Sequence, residues 1–259
     1  KVITRSNTSP IGWSKNVFKN FLYKFFLYLS DEVIVNSFEF QKIMKKKFNI
    51  NAKCIYNPLN KNEIIKKSKK KVNFNFFKKT NALKLITFGR LTDQKNQILL
   101  LKAIFELKNK IPIRLLIAGD GPEKINIKSF IDDNNLKRNA RFLNFLENPY
   151  PYLKLANIFV LTSNYEGLPN VLLESQCLKK IIISSNCSSG PNEILKNGKY
   201  GFLFKTRDQN DLVKKILFIY KNKNIAFKKS KIGFNNLNRF DQNKNLLKYY
   251  HLLSKYILK

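Results

Sequence analysis

The sequence is poor in acidic residues, cysteine and histidine. Its 259 residues include 17 Asp and Glu against 49 Lys and Arg, with one histidine and three cysteines. Because Cys54, Cys177 and Cys187 are widely separated and odd in number, they match neither a disulfide framework nor the ligand spacing of a metal site. This cysteine usage favours a reducing, cytoplasmic environment.

Long apolar runs and a secretory leader are also missing. The longest aromatic run, residues 17–30, is interrupted by Lys19 and Lys24 and is too short to span a bilayer. No charged start, apolar middle and small-residue cleavage site opens the chain. The sequence begins with Lys1 and enters a strand-like stretch at once, so we expect a fragment of a longer protein.

Positive charge, in contrast, is abundant. A formal charge of +32 indicates an anionic partner such as a nucleic acid, an anionic membrane or a phosphorylated substrate. Lys, Asn, Ile and Phe share A/T-rich codons, so base composition is an alternative source of much of this charge. Zinc-finger spacings, RNP aromatic motifs and basic heptads are all lacking, and we therefore expect no nucleic-acid partner.

Short apolar strands alternate with amphipathic helical stretches along most of the chain. Several strands are apolar throughout, as expected when helices cover both faces of a parallel sheet. This alternation predicts a doubly wound, Rossmann-like α/β fold. The predicted strands are 32–36, 53–56, 83–88, 113–118, 140–145, 158–162 and 181–184, and the clearest helical stretches are 96–107 and 168–177.

Residues 61–81 interrupt this alternation, since they are rich in Lys and Asn and have no clear period. We interpret them as a linker between two domains. Residues 1–60 contain too few β-α units for a complete Rossmann-like domain, whereas residues 82–240 contain enough. Residues 241–259 are predicted to form a closing helix, in which His251 has a packing or surface role.

Two cations follow the first strand of the second domain. In LITFGRLTDQKN a buried strand is predicted to end at Gly89, which places Arg90 and Lys95 at the carboxyl end of a parallel strand, where open α/β sheets bind ligands. A planar guanidinium there suits bidentate recognition of anionic oxygens. Solvated loop charges are the structural alternative. The next helix is predicted to begin near Gln94, with Thr92 or Asp93 as its N-cap.

Two of the scarce acids flank a predicted helix N-terminus. In NYEGLPNVLLESQ a loop follows a strand, and Pro169 suits the first helical position. Glu166 then lies on the loop and Glu174 on the second helical turn. Between them, the backbone N–H groups near Asn170 and Val171 lack helical partners and carry the positive end of the helix dipole.

This arrangement predicts an anion cradle with a carboxylate on either side. Phosphate oxygens would bind the amides, and the two glutamates would accept hydrogen bonds from hydroxyl groups. A ligand with sugar, phosphates and sugar in series has this layout, which is that of a nucleotide sugar. The alternatives are two ordinary surface acids or a two-carboxylate glycosidase, but a dipole cradle favours phosphate over a neutral glycoside.

Two glycine-containing loops give weaker signals. AGDGP, residues 118–122, is interpreted as a tight turn rather than a ligand loop. Residues 188–204 are predicted to form a loop, a short helix, a glycine turn and a strand. Within them Glu193 is interpreted as a first-turn acid, and Gly190 would let the backbone approach a ligand.

Taken together, these motifs resemble the retaining glycosyltransferases of family 4, the Glycosyl transferases group 1 domain, which have the GT-B fold. EGLPNVLLE matches the family's pattern of two glutamates separated by seven residues, and GRLTDQKN matches its Gly-Arg-Leu…Lys-Asn motif. IAGDGP and SGPNEILKNGKYGFLF agree with the rest of a donor domain. The resemblance covers residues 83–222 strongly and residues 30–60, which resemble the end of an acceptor domain, more loosely.

The resemblance implies a role for each candidate residue. Arg90 and Lys95 would neutralise the donor diphosphate. Glu174 would bind ribose hydroxyls, and Glu166 would hold the transferred sugar near its reacting carbon. Asn144 stands where family members often have glycine close to the nucleobase. The remaining donor-binding positions are Gly89, Leu168, Asn170 and Val171.

The implied activity is transfer of a hexose or N-acetylhexosamine from a nucleotide diphosphate sugar, taken here as a UDP-sugar, to a glycan or lipid-linked acceptor. Retention is implied, and no metal or other cofactor is expected. A GT-B epimerase acting on the same donor and a non-catalytic nucleotide-sugar-binding module are the alternatives. Because the first part of the acceptor domain is missing from the sequence, we expect nucleotide binding without efficient transfer.

An apolar stripe on the predicted helix of residues 14–29 indicates a further partner. Phe18, Leu22, Phe25 and Leu29 share one face of this helix. Such a face predicts peripheral attachment to an anionic membrane, near a lipid-linked acceptor, on the cytoplasmic side. Burial of the stripe in a core is the alternative. The flanking residues are Lys15, Lys19, Phe21 and Phe26.

Overall fold

The computed structural model of the chain describes residues 1–7, 16–78 and 80–257, which form two parallel β-sheets with helices on both faces. The small sheet has the strand order β1-β2-β3, and the large sheet has the order β6-β5-β4-β7-β8-β9. Every strand pair recorded within them is parallel. The fold is the GT-B type that the sequence predicted.

The small sheet is covered by its own helices on one face and by the last helix of the chain on the other. Leu27 and Phe40 pack with Val35 on the first face, and Leu252 packs with Ile34 on the second. The elements of this unit are β1 Ile3–Ser6, α1 Val17–Tyr28, β2 Glu32–Val35, α2 Phe38–Phe48 and β3 Lys53–Cys54.

The large sheet changes winding direction at its centre. From β4 the chain moves outward through β5 and β6, and then returns to the other side of β4 to build β7, β8 and β9. The chain therefore leaves β4 and β7 in opposite directions along the sheet, and the crevice at the carboxyl ends of these two strands is where doubly wound sheets bind ligands. The strands are β4 Leu83–Phe88, β5 Ile113–Ala118, β6 Ala140–Leu143, β7 Ile158–Leu161, β8 Ile181–Ser185 and β9 Phe202–Phe204.

Alternate residues of each strand of the large sheet enter two separate cores. Leu85 and Ile117 join a cluster with the helices on one face, whereas Ile86 and Leu116 join a cluster on the other. This explains why the strands are apolar throughout. The helices are α3 Lys61–Lys67, α4 Gln97–Leu107, α5 Lys124–Asp133, α6 Tyr150–Leu155, α7 Asn170–Cys177, α8 Pro191–Leu195, α9 Gln209–Lys221, α10 Lys223–Asn235 and α11 Gln242–Ile257.

Side-chain caps fix two of the helix starts. The Ser37 hydroxyl accepts a hydrogen bond from the backbone N–H of Phe40 at 3.1 Å, so α2 begins directly after β2. The Asp208 carboxylate accepts from the N–H of Asp211 at 2.9 Å at the start of α9. In both cases the side chain satisfies an amide that has no partner within the helix.

The start of α4 differs from the prediction. Neither Thr92 nor Asp93 is an N-cap, because residues 92–95 form a turn and the helix begins at Gln97. Tertiary contacts select the turn: the backbone N–H and side-chain amide of Asn164 donate to the carbonyl oxygens of Gln94 and Asp93 at 2.7 and 2.8 Å. The loop after β7 thus holds the loop after β4 out of the helix.

Residues 61–81, predicted to be a linker between two domains, include α3 and a 3-10 turn at Asn75–Phe77. Ile64 of α3 and Phe77 are buried in the core between α6, α7 and the large sheet. The segment is therefore a packed part of the second unit. The exact domain boundaries remain predictions.

The apolar stripe of α1 is exposed. Phe18, Phe25 and Leu29 have exposed fractions of 68, 48 and 61%, and Leu27 is the buried residue of this helix. The alternative prediction, that the stripe is buried in a core of this chain, is therefore wrong. Lys15 and the predicted helix start at residue 14 lie outside the described residues, as do residues 258–259 of the closing helix.

The helices account for His251 and for the membrane-spanning potential of the described residues. His251 is exposed on α11, which agrees with a surface role. Among the helices in the described ranges, none is long and apolar enough to cross a bilayer.

The turn at Gly119 packs backbone against backbone. A Cβ at this position would lie 1.9 Å from the carbonyl oxygen of Gly89, and φ is +154°. We expect Gly119→Ala to lower the free energy of unfolding by about 1–3 kcal/mol through this overlap. Urea denaturation followed by circular dichroism measures the loss.

Gly198→Ala is the matched control for this substitution. Gly198 also has a positive φ, of +81°, but its nearest Cβ contact is at 3.8 Å. It should therefore show the backbone cost alone. Equal losses for the two variants would contradict the steric interpretation of Gly119.

Candidate functional site

The candidate site is the cleft where the carboxyl ends of the large-sheet strands meet those of the small sheet. The two sheets are in close contact here, since a Cβ on Gly167 would lie 1.9 Å from the carbonyl oxygen of Asn7. The side-chain amide of Asn36, directly after β2, donates to the same oxygen at 3.2 Å. Residues of both the small-sheet and the large-sheet units therefore border the loops that carry the predicted site residues.

Lys95 and Glu166 form an ion pair at the centre of the cleft. Their Nζ and Oε1 atoms are 2.5 Å apart, and their side chains are 17 and 8% exposed. The Ser163 hydroxyl donates to the same carboxylate oxygen at 2.6 Å, and the Thr162 hydroxyl donates to the backbone carbonyl of Lys95 at 2.9 Å. The structure thus brings together two predicted site residues from separate loops.

Arg90 lies beside this pair with its side chain in solvent. Its backbone carbonyl accepts a hydrogen bond from the Gln97 side chain at 3.0 Å, which fixes the start of the loop. Within the described ranges, no acceptor binds its guanidinium. A Cβ on Gly89 would meet nothing within 4 Å, so a ligand can reach the backbone beside this cation.

The N-terminus of α7 lies next to these cations. Pro169 is the N-cap residue, with ψ at 104°, and the first helical residue is Asn170, one position later than predicted. Among the described residues, no backbone acceptor is found for the N–H groups of Asn170 and Val171. These amides can therefore bind an anion, as the sequence predicted. Leu168 is buried beneath the loop.

Sequence reasoning missed a polar connection from the small sheet to α7. The Asn57 side-chain amide donates to Asn170 Oδ1 at 2.6 Å, and Arg5 donates to Asn57 Oδ1 at 2.7 Å. This connection places a cation of β1 two hydrogen bonds from the helix N-terminus. No local signal marks Asn57 or Arg5, because their partners are far away in sequence.

Glu174 occupies a different environment from Glu166. It faces a cavity of about 170 Å³ that Tyr150 and Asn60 also line. Burial raises the pKa of Glu174 to about 7. The carboxyl group is thus easily protonated. Among the described residues no hydrogen-bond donor to it is found, and a hydroxyl-rich ligand would supply such donors.

The two glycine loops differ in their contacts. AGDGP is a tight turn whose Gly119 and Gly121 pack against the backbone of Gly89 and Leu91, as predicted. The loop before α8 reaches the cleft instead. The Ser189 hydroxyl donates to the carbonyl oxygen of Glu166 at 2.8 Å, and Gly190 packs on the backbone of Gly167.

Other chemistry is weakly represented. In the parts of the chain that the structure describes, no group of three or more His, Cys, Asp or Glu could hold a metal ion. The three cysteines are free, and burial raises the pKa of the Cys177 and Cys187 thiols to about 12, which disfavours the nucleophilic thiolate.

Known proteins with similar sequences are glycosyltransferases. The family described as Glycosyl transferases group 1 matches residues 68–243. An uncharacterized glycosyltransferase, MJ1059 of Methanocaldococcus jannaschii, is 34% identical over 203 residues, which cover 71% of this chain and 50% of the relative.

Two further proteins extend the comparison. The Campylobacter jejuni N-acetylgalactosamine-N,N'-diacetylbacillosaminyl-diphospho-undecaprenol 4-alpha-N-acetylgalactosaminyltransferase is 28% identical over 221 residues, covering 82% of this chain and 58% of the relative. The crystal structure of Anabaena Alr3699/HepE in complex with UDP has a TM-score of 0.80 at 18% identity, covering 98% of this chain and 72% of that one. The chain thus spans 50 and 58% of the two curated relatives.

The buried carboxyl group of Glu174 predicts a pH effect on stability. Because its pKa is about 7 in the folded chain and near the ordinary value of 4.5 when unfolded, the folded state binds more protons between these values. Stability should therefore fall as pH rises through this window, by up to about 3 kcal/mol. Urea denaturation at pH 5 and pH 8 measures the change.

Glu174→Gln removes this titration while keeping the size of the side chain. We expect its stability to fall less between the two pH values than that of the unchanged chain. Parallel losses in both proteins would show that other groups, and not Glu174, cause the pH dependence.

Proposed function

The chain belongs to the family of group 1 glycosyl transferases, and from this premise we propose that the protein transfers a hexose or N-acetylhexosamine from a nucleotide diphosphate sugar to a glycan or lipid-linked glycan. We place it among the retaining enzymes of family 4. UDP is the proposed nucleotide, since a structural neighbour with the same fold has been crystallised with UDP.

The Lys95–Glu166 ion pair is the observation that carries this proposal. It joins a cation and a carboxylate, 2.5 Å apart, at the crevice of a doubly wound sheet. The exposed Arg90 and the unpaired amides of α7 lie on the neighbouring loops. A diphosphate provides acceptors for the cations and the amides, and a sugar provides hydroxyl donors for the carboxylate.

In the proposed reaction the anomeric carbon–oxygen bond of the donor breaks and negative charge develops on the departing diphosphate. Arg90, Lys95 and the amides of α7 stabilise that charge from fixed positions, so no bound metal is required in this scheme. Glu166 accepts hydrogen bonds from the transferred sugar beside its reacting carbon. The acceptor hydroxyl forms the new bond to the anomeric carbon from the face that the diphosphate leaves, so the configuration is retained, and its proton passes to the departing diphosphate.

Glu174 is the proposed partner of the ribose. Its cavity adjoins the start of α7 through Asn170, so a nucleoside lying there would present its phosphates to the free amides. Binding of ribose hydroxyls favours the ionised carboxylate, which accepts from both. The donor contacts proposed at Gly89 and Leu168 lie on the loops that follow β4 and β7.

The acceptor is proposed to be lipid-linked. A relative is named for an undecaprenol-diphosphate-linked substrate. The exposed stripe of α1 and the adjacent lysines would allow this chain to bind an anionic membrane surface from the cytoplasmic side, where a lipid-linked acceptor is located.

Nucleotide binding tests the proposed donor site. Isothermal titration calorimetry of the chain with UDP should give a measurable Kd. Arg90→Ala and Glu174→Ala should each weaken binding by about 10- to 150-fold, because each removes a charge-assisted hydrogen bond worth roughly 1.5–3 kcal/mol. Lys205→Ala, on an exposed residue after β9, is the control. A folded chain with no affinity for UDP would refute the proposal.

Turnover tests the reaction class. In an assay with a panel of UDP-sugars, made on a protein that joins this chain to a complete acceptor domain, Arg90→Ala should lower transfer by on the order of 10²-fold, as loss of a transition-state charge stabiliser does. Lys95→Ala should lower it at least as much, since it also leaves Glu166 buried and unpaired. Interconversion of the donor sugar would indicate an epimerase, and binding without turnover would indicate a binding module.

Vesicle binding tests the proposed membrane contact. The chain should co-sediment with vesicles containing phosphatidylglycerol at low salt and be released at high salt, because screening weakens the electrostatic part. A Phe18→Ser/Phe25→Ser variant should bind several-fold less. Phe227→Ser, on an exposed residue of α10, is the matched control. No co-sedimentation even at low salt would contradict this contact.

A further inference from the structure

Two glutamates, one from each unit, form hydrogen bonds with the opposite unit across the cleft. Glu193 of α8 belongs to the large-sheet unit, and its carboxylate accepts hydrogen bonds from the backbone N–H groups of Phe38 and Glu39 at 3.1 and 3.0 Å. These are the first two residues of α2, whose N–H groups have no partner within the helix. The Tyr56 hydroxyl also donates to this carboxylate.

Glu39 makes the return contact from α2. Its carboxylate accepts a hydrogen bond from the side-chain amide of Asn192 at 3.0 Å, and the backbone N–H of Gly190 further stabilises its charge. Burial is the main influence on this carboxyl group and raises its pKa. The contact is therefore partly shielded from water, and such shielding strengthens hydrogen bonds to a carboxylate.

The loop that Glu39 binds is itself built against Glu166. Ser189 donates through its hydroxyl to the carbonyl oxygen of Glu166 at 2.8 Å. A Cβ on Gly190 would lie 1.8 Å from the carbonyl oxygen of Gly167. Since φ is +58° at Ser189 and +74° at Gly190, this loop holds a left-handed conformation that needs external support.

We propose that Glu39 is a positioning residue for the sugar transfer, an inference that rests on the function proposed above. Glu39 contacts neither the cations nor the amides of the donor site. It binds residues 190 and 192, which lie in the same loop as Ser189. Ser189 donates to the backbone of Glu166 and Gly190 packs on Gly167, so Glu39 links docking of the small sheet to the placement of the Glu166 carboxylate.

Hydrogen exchange of the 259-residue chain tests the link without reference to activity. Glu39→Ala should raise amide exchange in residues 187–193 and 166–168 by about fivefold or more, because the loop loses its support. UDP affinity should stay within about threefold, since Arg90 and Glu174 are unchanged. Glu106→Ala is the control, since it removes an acid of α4 that is paired with Lys110 far from this loop in sequence.

Asn192→Ala removes one of the two contacts of Glu39 from the other side and leaves α2 intact, so it distinguishes loss of the contact from misfolding of α2. The double variant should raise exchange no more than Glu39→Ala alone, because Glu39→Ala already removes the contact with Asn192. Glu39→Gln keeps an acceptor for Asn192 and should restore most of the protection. Additive effects, or exchange that rises in α2 alone, would overturn the inference.

Transfer kinetics give the second readout. In the protein that joins this chain to a complete acceptor domain, Glu39→Ala should lower kcat by about tenfold with the donor KM nearly unchanged, because a misplaced Glu166 affects orientation more than binding. An unchanged kcat would overturn the positioning role. If the unchanged chain binds no UDP, the proposed function itself fails; if it binds UDP and exchange is insensitive to Glu39→Ala, this inference alone fails.

Discussion

The ion pair between Lys95 and Glu166 is the contact on which the geometry of the cleft depends. It joins the loops that follow β4 and β7, the two strands between which the large sheet reverses its winding. Breaking a buried pair by removing one partner typically costs about 3–5 kcal/mol, since the other charge is left without compensation. Ser163 satisfies the same carboxylate oxygen and so restricts its orientation further. The turn at residues 92–95 follows from this arrangement, because the β7 loop holds it in place.

Close backbone approach is the second constraint on the cleft. The chain has nine glycines, and Gly119, Gly167 and Gly190 each lie where a Cβ would come within 2 Å of a carbonyl oxygen from another segment. Loops from several strand ends can therefore converge without side chains separating them. At Gly167 the approaching segment comes from the small sheet, so the contact between the two units depends on this glycine as well as on the polar bonds of Glu39 and Glu193.

The scarce acids of this chain are used in different environments. Glu166 is paired with a cation, Glu174 lies in a small cavity with a raised pKa, and Glu193 is bound by the amides of α2. Among the described residues no partner binds the Arg90 guanidinium or the first backbone amides of α7, so these groups are open to a ligand. The fixed part of the cleft thus holds its own carboxylates in place and leaves positive groups for an anion, as the proposed transfer requires. The exposed apolar face of α1 lies on the other unit, away from these groups in sequence.

Much of the fold could be predicted from the sequence, because it depends on local pattern. Strands apolar on both faces indicate a parallel sheet, and the carboxyl ends of parallel strands meet at one edge, so Arg90, Lys95 and Glu166 could be placed in one crevice. Local pattern could not show the turn at residues 92–95 or the exposed side of α1. Nor could it reveal the hydrogen bonds of Glu39 with Asn192, which join residues 153 positions apart. Such contacts are decided by tertiary structure, since helical and strand periodicity record which face of an element is apolar but not which distant polar group it meets.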